Sequence, residues 1–307
     1  MFTTMIPRRL AGLYPALPYL SLLGSIFAFC IGTSFAKQLF PLVGAEATTA
    51  YRVGFSALLL MLIWRPWQAG LTRADLLATA RYGAAMGSMN LCFYMALRTI
   101  PLGLAIAIEF LGPLTVALLT SRRPVHFAMV GLAVAGLLLL LPIRAADHAL
   151  DPTGMLFALA AGLFWGLYIV FGKQTGHLHG GQSVALGMAT AALLVVPVGV
   201  YQAGSALLAP GLLLLGVVTA ILSSAIPYSL EMVALKRIPS NSFGVLLSVE
   251  PAIGAITGAV LLHEQLTVLQ WLAVTLVVVA SIGMILSTRK GSERGEASAT
   301  LAAARGA

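Results

Sequence analysis

The chain has 307 residues, of which 59% are hydrophobic and only 9% carry a charge, and its mean hydropathy is +0.96. These few polar side chains cannot cover the surface of a soluble globular protein of this length. The composition therefore excludes a soluble protein and places the chain in a lipid bilayer. The net charge of +8 is concentrated in short segments between apolar stretches. This distribution suits a membrane protein, and we predict no nucleic-acid partner.

Ten apolar stretches follow one another along the chain, each close to the length of about 20 residues that a helix needs to cross a bilayer. We therefore predict an all-α integral membrane protein with ten transmembrane helices. In chain order the predicted helices cover 16–36, 45–64, 76–97, 101–120, 125–143, 153–172, 182–201, 211–235, 239–262 and 266–286.

The basic residues are divided unequally between the two ends of these helices. Three belong to one end, namely Lys37, Arg98 and Arg144, and Arg52 lies inside a predicted helix. The other fourteen belong to the opposite end: Arg8, Arg9, Arg65, Arg73, Arg81, Arg122, Arg123, Lys173, Lys236, Arg237, Arg289, Lys290, Arg294 and Arg305. Since cytoplasmic loops carry the excess of basic residues, we predict that both termini are cytoplasmic.

The two halves of the chain repeat each other. Ala96-Leu-Arg-Thr-Ile-Pro101 returns as Ala234-Leu-Lys-Arg-Ile-Pro239, and the same offset relates Pro113 to Pro251. Each unit holds five predicted helices, and an odd number makes the second unit enter the membrane from the opposite side, as in many secondary transporters. The predicted divisions are a cytoplasmic N-terminus (1–15), a first five-helix repeat (16–143), a linker (144–152), a second, inverted repeat (153–286) and a disordered cytoplasmic tail (287–307).

Four ionisable residues fall within predicted helices: Arg52, Glu109, Glu231 and Glu250. Each costs about 2.5 to 3.5 kcal/mol at a helix centre, so such residues commonly mark a substrate or ion pathway. Glu109 and Glu250 lie about 12 and 16 Å along helices that enter from opposite sides, which puts both near the midplane. We predict a shared cavity there. The alternative is a structural contact between helices, such as an ion pair of Arg52 with Glu109.

Three prolines interrupt the same helices: Pro113, Pro227 and Pro251. A proline cannot donate a hydrogen bond to the carbonyl four residues earlier. The carbonyls that are freed in this way belong to Glu109, Ser223 and Leu247. At membrane depth each of them needs another partner, a water molecule or a ligand.

Further polar and aromatic residues recur at helical spacing and are predicted to line the cavity. They are Asn90 and Tyr94 in the third helix, Trp165 and Tyr168 in the sixth, and Ser224, Tyr228 and Glu231 in the eighth. Ordinary helix packing is the alternative for these positions. Glu231 has a second alternative at the cytoplasmic interface, because Lys236 and Arg237 follow it closely.

Signatures of catalysis and of metal binding are missing from the sequence. It contains no HExxH, GxSxG or Walker motif, and its two cysteines, Cys30 and Cys92, lie inside predicted helices. The five histidines lie near predicted loops and form no evident ligand cluster. We therefore predict that the protein is not an enzyme and binds neither metal nor cofactor.

The two five-helix halves, with Glu250-Pro251 followed by Leu261-Leu-His-Glu-Gln-Leu-Thr267, resemble the drug/metabolite transporter superfamily and its EamA-type domains. Four stretches, 39–45, 99–113, 121–125 and 221–232, more narrowly resemble its bacterial inner-membrane exporters of threonine and homoserine. The resemblance covers almost the whole chain and implies proton-driven export of small amino acids. The sequence leaves open whether the protein works as a monomer or a homodimer. The first half departs from the EamA pattern at one point, where it has Ser121-Arg-Arg-Pro124 in place of the second half's His263-Glu-Gln-Leu-Thr267.

The expected mechanism is alternating access with proton antiport. Arg52 would attract the substrate carboxylate, Glu109 or Glu250 its ammonium group, and the hydroxyls of Ser224 and Tyr228 its side chain. The expected proton carriers are Glu109, Glu250 and Glu231. The alternatives are a transporter of another small solute, a membrane sensor or scaffold that transports nothing, and an intramembrane enzyme.

Overall fold

The computed structural model describes residues 17–119, 124–138, 151–237, 247, 249–280 and 282–283. Within these ranges the chain forms helices and turns without a strand, so the prediction of an all-α protein is confirmed for them. The helices are α1 (Leu17–Lys37), α2 (Phe40–Trp64), α3 (Arg73–Ala96), α4 (Leu102–Glu109), α5 (Leu111–Leu119), α6 (Pro124–Leu138), α7 (Pro152–Gln174), α8 (Gly180–Ala203), α9 (Pro210–Ala220), α10 (Ile226–Arg237), α11 (Glu250–Leu261) and α12 (Val268–Ala280).

Length and composition allow five helical stretches to cross a membrane: Leu17–Lys37, Phe40–Gln68, Pro152–Gln174, Gly180–Leu208 and Pro210–Leu235. Four shorter apolar stretches accompany them, namely Leu102–Val116, Phe127–Gly136, Glu250–Leu261 and Val268–Ala280. The third predicted helix forms as α3 but is not in either set, because Arg81, Ser88 and Asn90 lower its hydropathy. The predicted N-terminal segment, the linker up to residue 150 and the tail lie outside the described residues.

Two predicted helices are interrupted where prolines occur. The helix predicted for 101–120 divides into α4 and α5 at Phe110, three residues before Pro113. The helix predicted for 211–235 contains a π-helical turn, Ile221–Ala225, between α9 and α10, and Pro227 follows this turn closely. Both interruptions agree with the loss of a backbone hydrogen bond at proline and with the clash of its ring against the preceding turn.

Helix α2 begins five residues earlier than predicted because it continues through a kink at Gly44. This residue has φ 83° and ψ 168°, a conformation that is essentially restricted to glycine. The hydroxyl of Thr48 donates to the Gly44 carbonyl at 2.7 Å and satisfies a backbone acceptor beside the kink. The kink lets the first turn of α2 follow α1 after a connection of only two residues.

The shortest helix, α4, lies at the centre of the bundle. All eight residues of α4 are buried, as expected for a segment that is apolar around its whole circumference. Around it, α4 packs on α7 and α11, while α2 packs on α8 and α9, α3 on α7 and α8, and α1 on α10 and α11. Glu109, at the end of α4, is therefore carried into the middle of the bundle by the apolar residues that precede it.

The turns meet in two groups at opposite ends of the bundle. At one end the polar contacts are Lys37 with Glu264, Arg98 with Glu46, and Thr99 with Asp151. At the other they are Asp75 with His177, and the Trp64 ring with the His179 ring, tilted by 41° to each other. Hydrogen bonds from the Gly154 N–H and the Thr99 hydroxyl lower the pKa of the Asp151 carboxyl. Each group of contacts joins only turns that the succession of predicted transmembrane helices places at the same end of the bundle.

We expect the substitution Gly44→Ala to lower the free energy of unfolding by about 1 to 3 kcal/mol, because alanine is strained at this positive φ. Thermal unfolding in detergent micelles would measure the change. The matched control is Gly131→Ala in α6, where an added Cβ meets no atom within 4 Å. The control should be neutral or stabilising by up to about 1 kcal/mol. Equal effects at both positions would contradict a special role for Gly44.

Candidate functional site

A cavity of about 40 Å³ lies inside the bundle, between α1, α3, α4, α7, α10 and α11. Its volume is sufficient for water molecules. Three acidic residues and three hydroxyl-bearing residues contribute to its wall, and the remaining lining is apolar. The lining residues are Ser25, Ile26, Phe29, Met89, Glu109, Trp165, Tyr168, Pro227, Tyr228, Glu231, Leu247 and Glu250.

Glu109 and Glu250 reach this cavity from the two halves of the chain. Glu109 is the last residue of α4 and Glu250 the first of α11, and both are buried, with exposed fractions of 5% and 7%. The two helices approach each other closely because Gly103 lies against the backbone of Ala255, where a Cβ would collide. Among the described residues neither carboxylate forms a salt bridge, so the ion pair of Arg52 with Glu109 is not present. Both carboxyl groups are thus left to act on whatever occupies the cavity.

Glu231 lines the same cavity and is partly buried. The hydroxyl of Tyr168 donates to its Oε1 at 3.4 Å, a long hydrogen bond. Tyr168 in turn packs its ring against those of Tyr82 and Tyr228, with centroids 4.9 and 6.2 Å away. The cavity therefore has an aromatic wall that carries a third carboxylate.

Arg52 is fully buried next to this wall, and dipoles stabilise its charge. Its Nη2 donates to the Ser223 carbonyl at 2.7 Å, its Nε to the Ser223 Oγ at 3.1 Å and its Nη1 to the Asn90 Oδ1 at 2.7 Å. The Tyr94 ring lies 4.3 Å from the guanidinium carbon, within the range of a cation–π contact. The Ser223 carbonyl is the one that Pro227 leaves without its helical donor, so Arg52 supplies the partner that the sequence required.

Asn90 connects the buried cation to the cavity. Its Nδ2 donates to the Tyr228 hydroxyl at 2.8 Å and to the Met86 carbonyl at 2.8 Å, while its Oδ1 accepts from Arg52. Arg52 is thus linked through the Asn90 side chain to the Tyr228 hydroxyl. This chain of contacts sets the position of Tyr228 in the cavity wall.

Among known proteins, the profile of the EamA-like transporter family matches residues 152–286. The threonine/homoserine exporter RhtA of Escherichia coli (strain K12) is 46% identical over 90% of this chain and 94% of its own length. RhtA of Salmonella typhimurium (strain LT2) is also 46% identical, over 89% and 93%. The chain belongs to the EamA-like transporter family. The predicted resemblance is thus confirmed, and the protein is a multi-pass membrane transporter, not an enzyme.

The fold of this EamA-like transporter also occurs in a solved crystal structure that is 19% identical. The two align over 89% of this chain and 98% of the other, with a TM-score of 0.62. The part that the family profile matches contributes Trp165, Tyr168, Tyr228, Glu231 and Glu250 to the cavity, whereas Glu109 and the α1 wall come from the preceding half. The cavity is therefore formed between the two halves.

The predicted site residues fall into two groups, those that line the cavity and those that do not. Glu109, Trp165, Tyr168, Tyr228, Glu231, Glu250 and Pro227 line it, whereas the lining does not include Arg52, Asn90, Tyr94 or Ser224, which are buried. The hydroxyls of Tyr94 and Ser224 have no hydrogen-bond partner in the described part of the chain. Pro113 lies in α5 just after Glu109, and Pro251 follows Glu250 directly.

Sequence reasoning missed the contribution of α1 to the site. Ser25 and Phe29 line the cavity one helical turn apart, and the Ser25 hydroxyl donates to the Pro227 carbonyl at 2.8 Å. A serine and a phenylalanine on an apolar helix carry no charge that would mark them as functional. The spacing i, i+4 was the available signal, and it is too common to identify a site by itself.

We expect Arg52→Lys to lower the free energy of unfolding by about 1 to 3 kcal/mol, because a single ammonium group cannot reproduce the planar guanidinium that reaches Ser223 and Asn90 together. Thermal unfolding in detergent would measure it. The control is Arg98→Lys, at a half-exposed side chain that pairs with Glu46. That change should stay within about 0.5 kcal/mol. Full stability of the Arg52 variant would show that the buried network is dispensable.

Proposed function

We propose that the chain is a secondary active exporter of small amino acids, with threonine and homoserine as substrates, in the bacterial inner membrane. It works by proton antiport with alternating access. Its 46% identity to exporters named for these two amino acids, over nine tenths of the chain, supports the substrates. The observation that carries the mechanism is the cavity between the halves, to which Glu109 and Glu250 each contribute a carboxyl group without a salt bridge among the described residues.

The proposed architecture is ten transmembrane helices in two inverted repeats, with both termini cytoplasmic. In this scheme α7 is the counterpart of α1, α8 of α2, the segment α9–α10 of α3, α11 of α4–α5, and α12 of α6. The packing supports the scheme because exchanging the halves reproduces it: α1 with α10 corresponds to α7 with α3, and α2 with α9 to α8 with α3. The pairs α2 with α8 and α4 with α11 each exchange with themselves. Repeats related in this way commonly hold the substrate between them.

Each class of polar group near the cavity has a counterpart on a zwitterionic amino acid. A carboxylate of Glu109 or Glu250 binds the ammonium group, and the hydroxyls of Tyr228 and Ser224 bind the substrate side chain. Arg52 binds the substrate carboxylate after exchanging its contact with Asn90. Binding and release of the substrate accompany the movement between two open states that alternating access requires.

Antiport follows from competition for the same carboxyl groups. A carboxylate that binds a proton can no longer attract an ammonium group, and a carboxylate that binds the ammonium group has no need of the proton. Glu109, Glu250 and Glu231 are the proposed proton carriers. Proton binding on the outer side then favours release of the amino acid, and proton release into the cytoplasm restores its binding.

We expect Glu109→Gln and Glu250→Gln each to reduce pH-driven threonine efflux from proteoliposomes by about tenfold or more. The reason is that a charge-assisted hydrogen bond to the ammonium group is worth about 1.5 to 3 kcal/mol and the glutamine cannot carry the proton. Glu46→Gln is the control, because Glu46 pairs with Arg98 at the helix ends. Normal efflux in both cavity variants would refute the assigned roles.

Counterflow in proteoliposomes under an imposed pH gradient tests the substrate. Labelled threonine and homoserine should accumulate, and unlabelled threonine should compete, whereas the corresponding hydroxy acid without an ammonium group should compete at least about tenfold more weakly, because it cannot pair with a carboxylate. Accumulation of neither amino acid by folded protein would favour another small solute. Absence of flux for every solute in a wider panel would favour a sensor.

A further inference from the structure

The carboxylate of Glu264 is placed beside α4 by the way in which α11 ends. His263 adopts the left-handed conformation with φ 54°, and the N–H of Glu264 returns to the Gly258 carbonyl at 3.2 Å. Gly258 leaves the space that the carboxylate occupies, since a Cβ at this position would collide with it. The turn therefore directs the Glu264 side chain back across the end of its own helix.

Both oxygens of this carboxylate are used to join other helices. Oε1 accepts from the Nζ of Lys37, the last residue of α1, at 2.5 Å, and Oε2 accepts from the N–H of Leu102, the first residue of α4, at 2.9 Å. The same Nζ donates to the Ile100 carbonyl at 3.3 Å. The cation lies at the C-terminus of α1 and the anion at the N-terminus of α4, positions that the helix dipoles favour, whereas the C-terminus of α11 does not favour the carboxylate. One partly buried ion pair thus ties the ends of α1, α4 and α11.

These three helices form much of the wall of the cavity. α1 contributes Ser25 and Phe29, α4 contributes Glu109 and α11 contributes Glu250. Glu109 lies about 10 Å along α4 from Leu102 at the helical rise per residue. Lys37 and Glu264 thus hold together, at one end of the bundle, three of the helices that line the cavity. We call this ion pair the outer latch.

The repeat does not reproduce the latch at the opposite end. Lys37-Gln38 returns as Lys173-Gln174, so the lysine is present in both copies. The acidic residue is present in only one, because His263-Glu264-Gln-Leu-Thr267 corresponds to Ser121-Arg-Arg-Pro124, of which 121–123 lie outside the described residues. Lys173 is exposed, and the salt bridges formed by the described residues do not include it. The first repeat therefore encodes no acidic counterpart of Glu264, and the ion pair that the described residues form at the opposite end joins Asp75 to His177.

We propose that the outer latch keeps the cavity closed to the outside in the absence of substrate. This proposal rests on the proposed export function and on the cytoplasmic placement of the termini. Closure to the outside suits an exporter, because the unloaded protein takes its solute from the cytoplasm. Substrate and proton binding then supply the free energy that opens the latch.

The test measures access to the cavity from outside, without any substrate. Phe29→Cys serves as a reporter in right-side-out vesicles treated with a membrane-impermeant maleimide, and the parent protein gives the background from Cys30 and Cys92. We expect Glu264→Gln to raise the external labelling rate about fivefold, since losing a partly buried ion pair shifts the population toward the open state. Lys37→Met should raise it similarly.

Arg98→Gln is the matched control, because it removes the other ion pair at this end without touching α1, α4 or α11. It should leave the labelling rate unchanged. Unchanged labelling in both Glu264→Gln and Lys37→Met, or an equal rise in Arg98→Gln, would overturn the latch. Because no amino acid is present, this result is independent of the transport assay. Raised labelling in a protein that fails to export threonine would support the latch while rejecting the substrate assignment.

Discussion

A single buried guanidinium sets the geometry of this transporter's core. Arg52 from α2 replaces the hydrogen bond that Pro227 removes from the Ser223 carbonyl, and through Asn90 it positions the Tyr228 hydroxyl. A fully buried cation is costly unless dipoles or a counter-ion stabilise it, and an exposed carbonyl at membrane depth is costly as well. The guanidinium and the carbonyl satisfy each other's need for a hydrogen-bond partner. Together with the contact to Asn90, this joins α2, α3 and the π-helical turn between α9 and α10.

The cavity follows from this arrangement and from the properties of α4. This helix is apolar on every side and too short to cross a bilayer, so it is buried among its neighbours and carries Glu109 into the interior. The opposing α11 begins at the level of the cavity with Glu250. With Arg52 occupied by Asn90 and Ser223, the two carboxyl groups keep no permanent cationic partner in the described structure. In the proposed mechanism these carboxyl groups bind a mobile proton or an ammonium group.

Charge is used differently in the core and at the helix ends. In the core, opposite charges are kept apart, and hydrogen bonds of neutral groups stabilise the cation. At the outer end, Lys37 and Glu264 are paired directly, as are Arg98 and Glu46. In the proposed mechanism a permanent ion pair inside the cavity would compete with a zwitterionic substrate, whereas a pair at the helix ends can open and close with the conformation. The distribution of ion pairs is therefore consistent with the proposed transport cycle.

The sequence by itself determined the membrane class and the approximate course of most helices, and it predicted the placement of Glu109 and Glu250 at one cavity and the need of the Ser223 carbonyl for a partner. It left Glu231 between the cavity and the cytoplasmic interface. These features depend on composition, on helical rise and on the chemistry of proline, which act locally along the chain. Only the tertiary structure decided that Arg52 is this partner, that Ser25 and Phe29 complete the wall, and that Glu264 meets Lys37. The residues of each such pair lie far apart in sequence, and packing between helices from different parts of the chain brings them together.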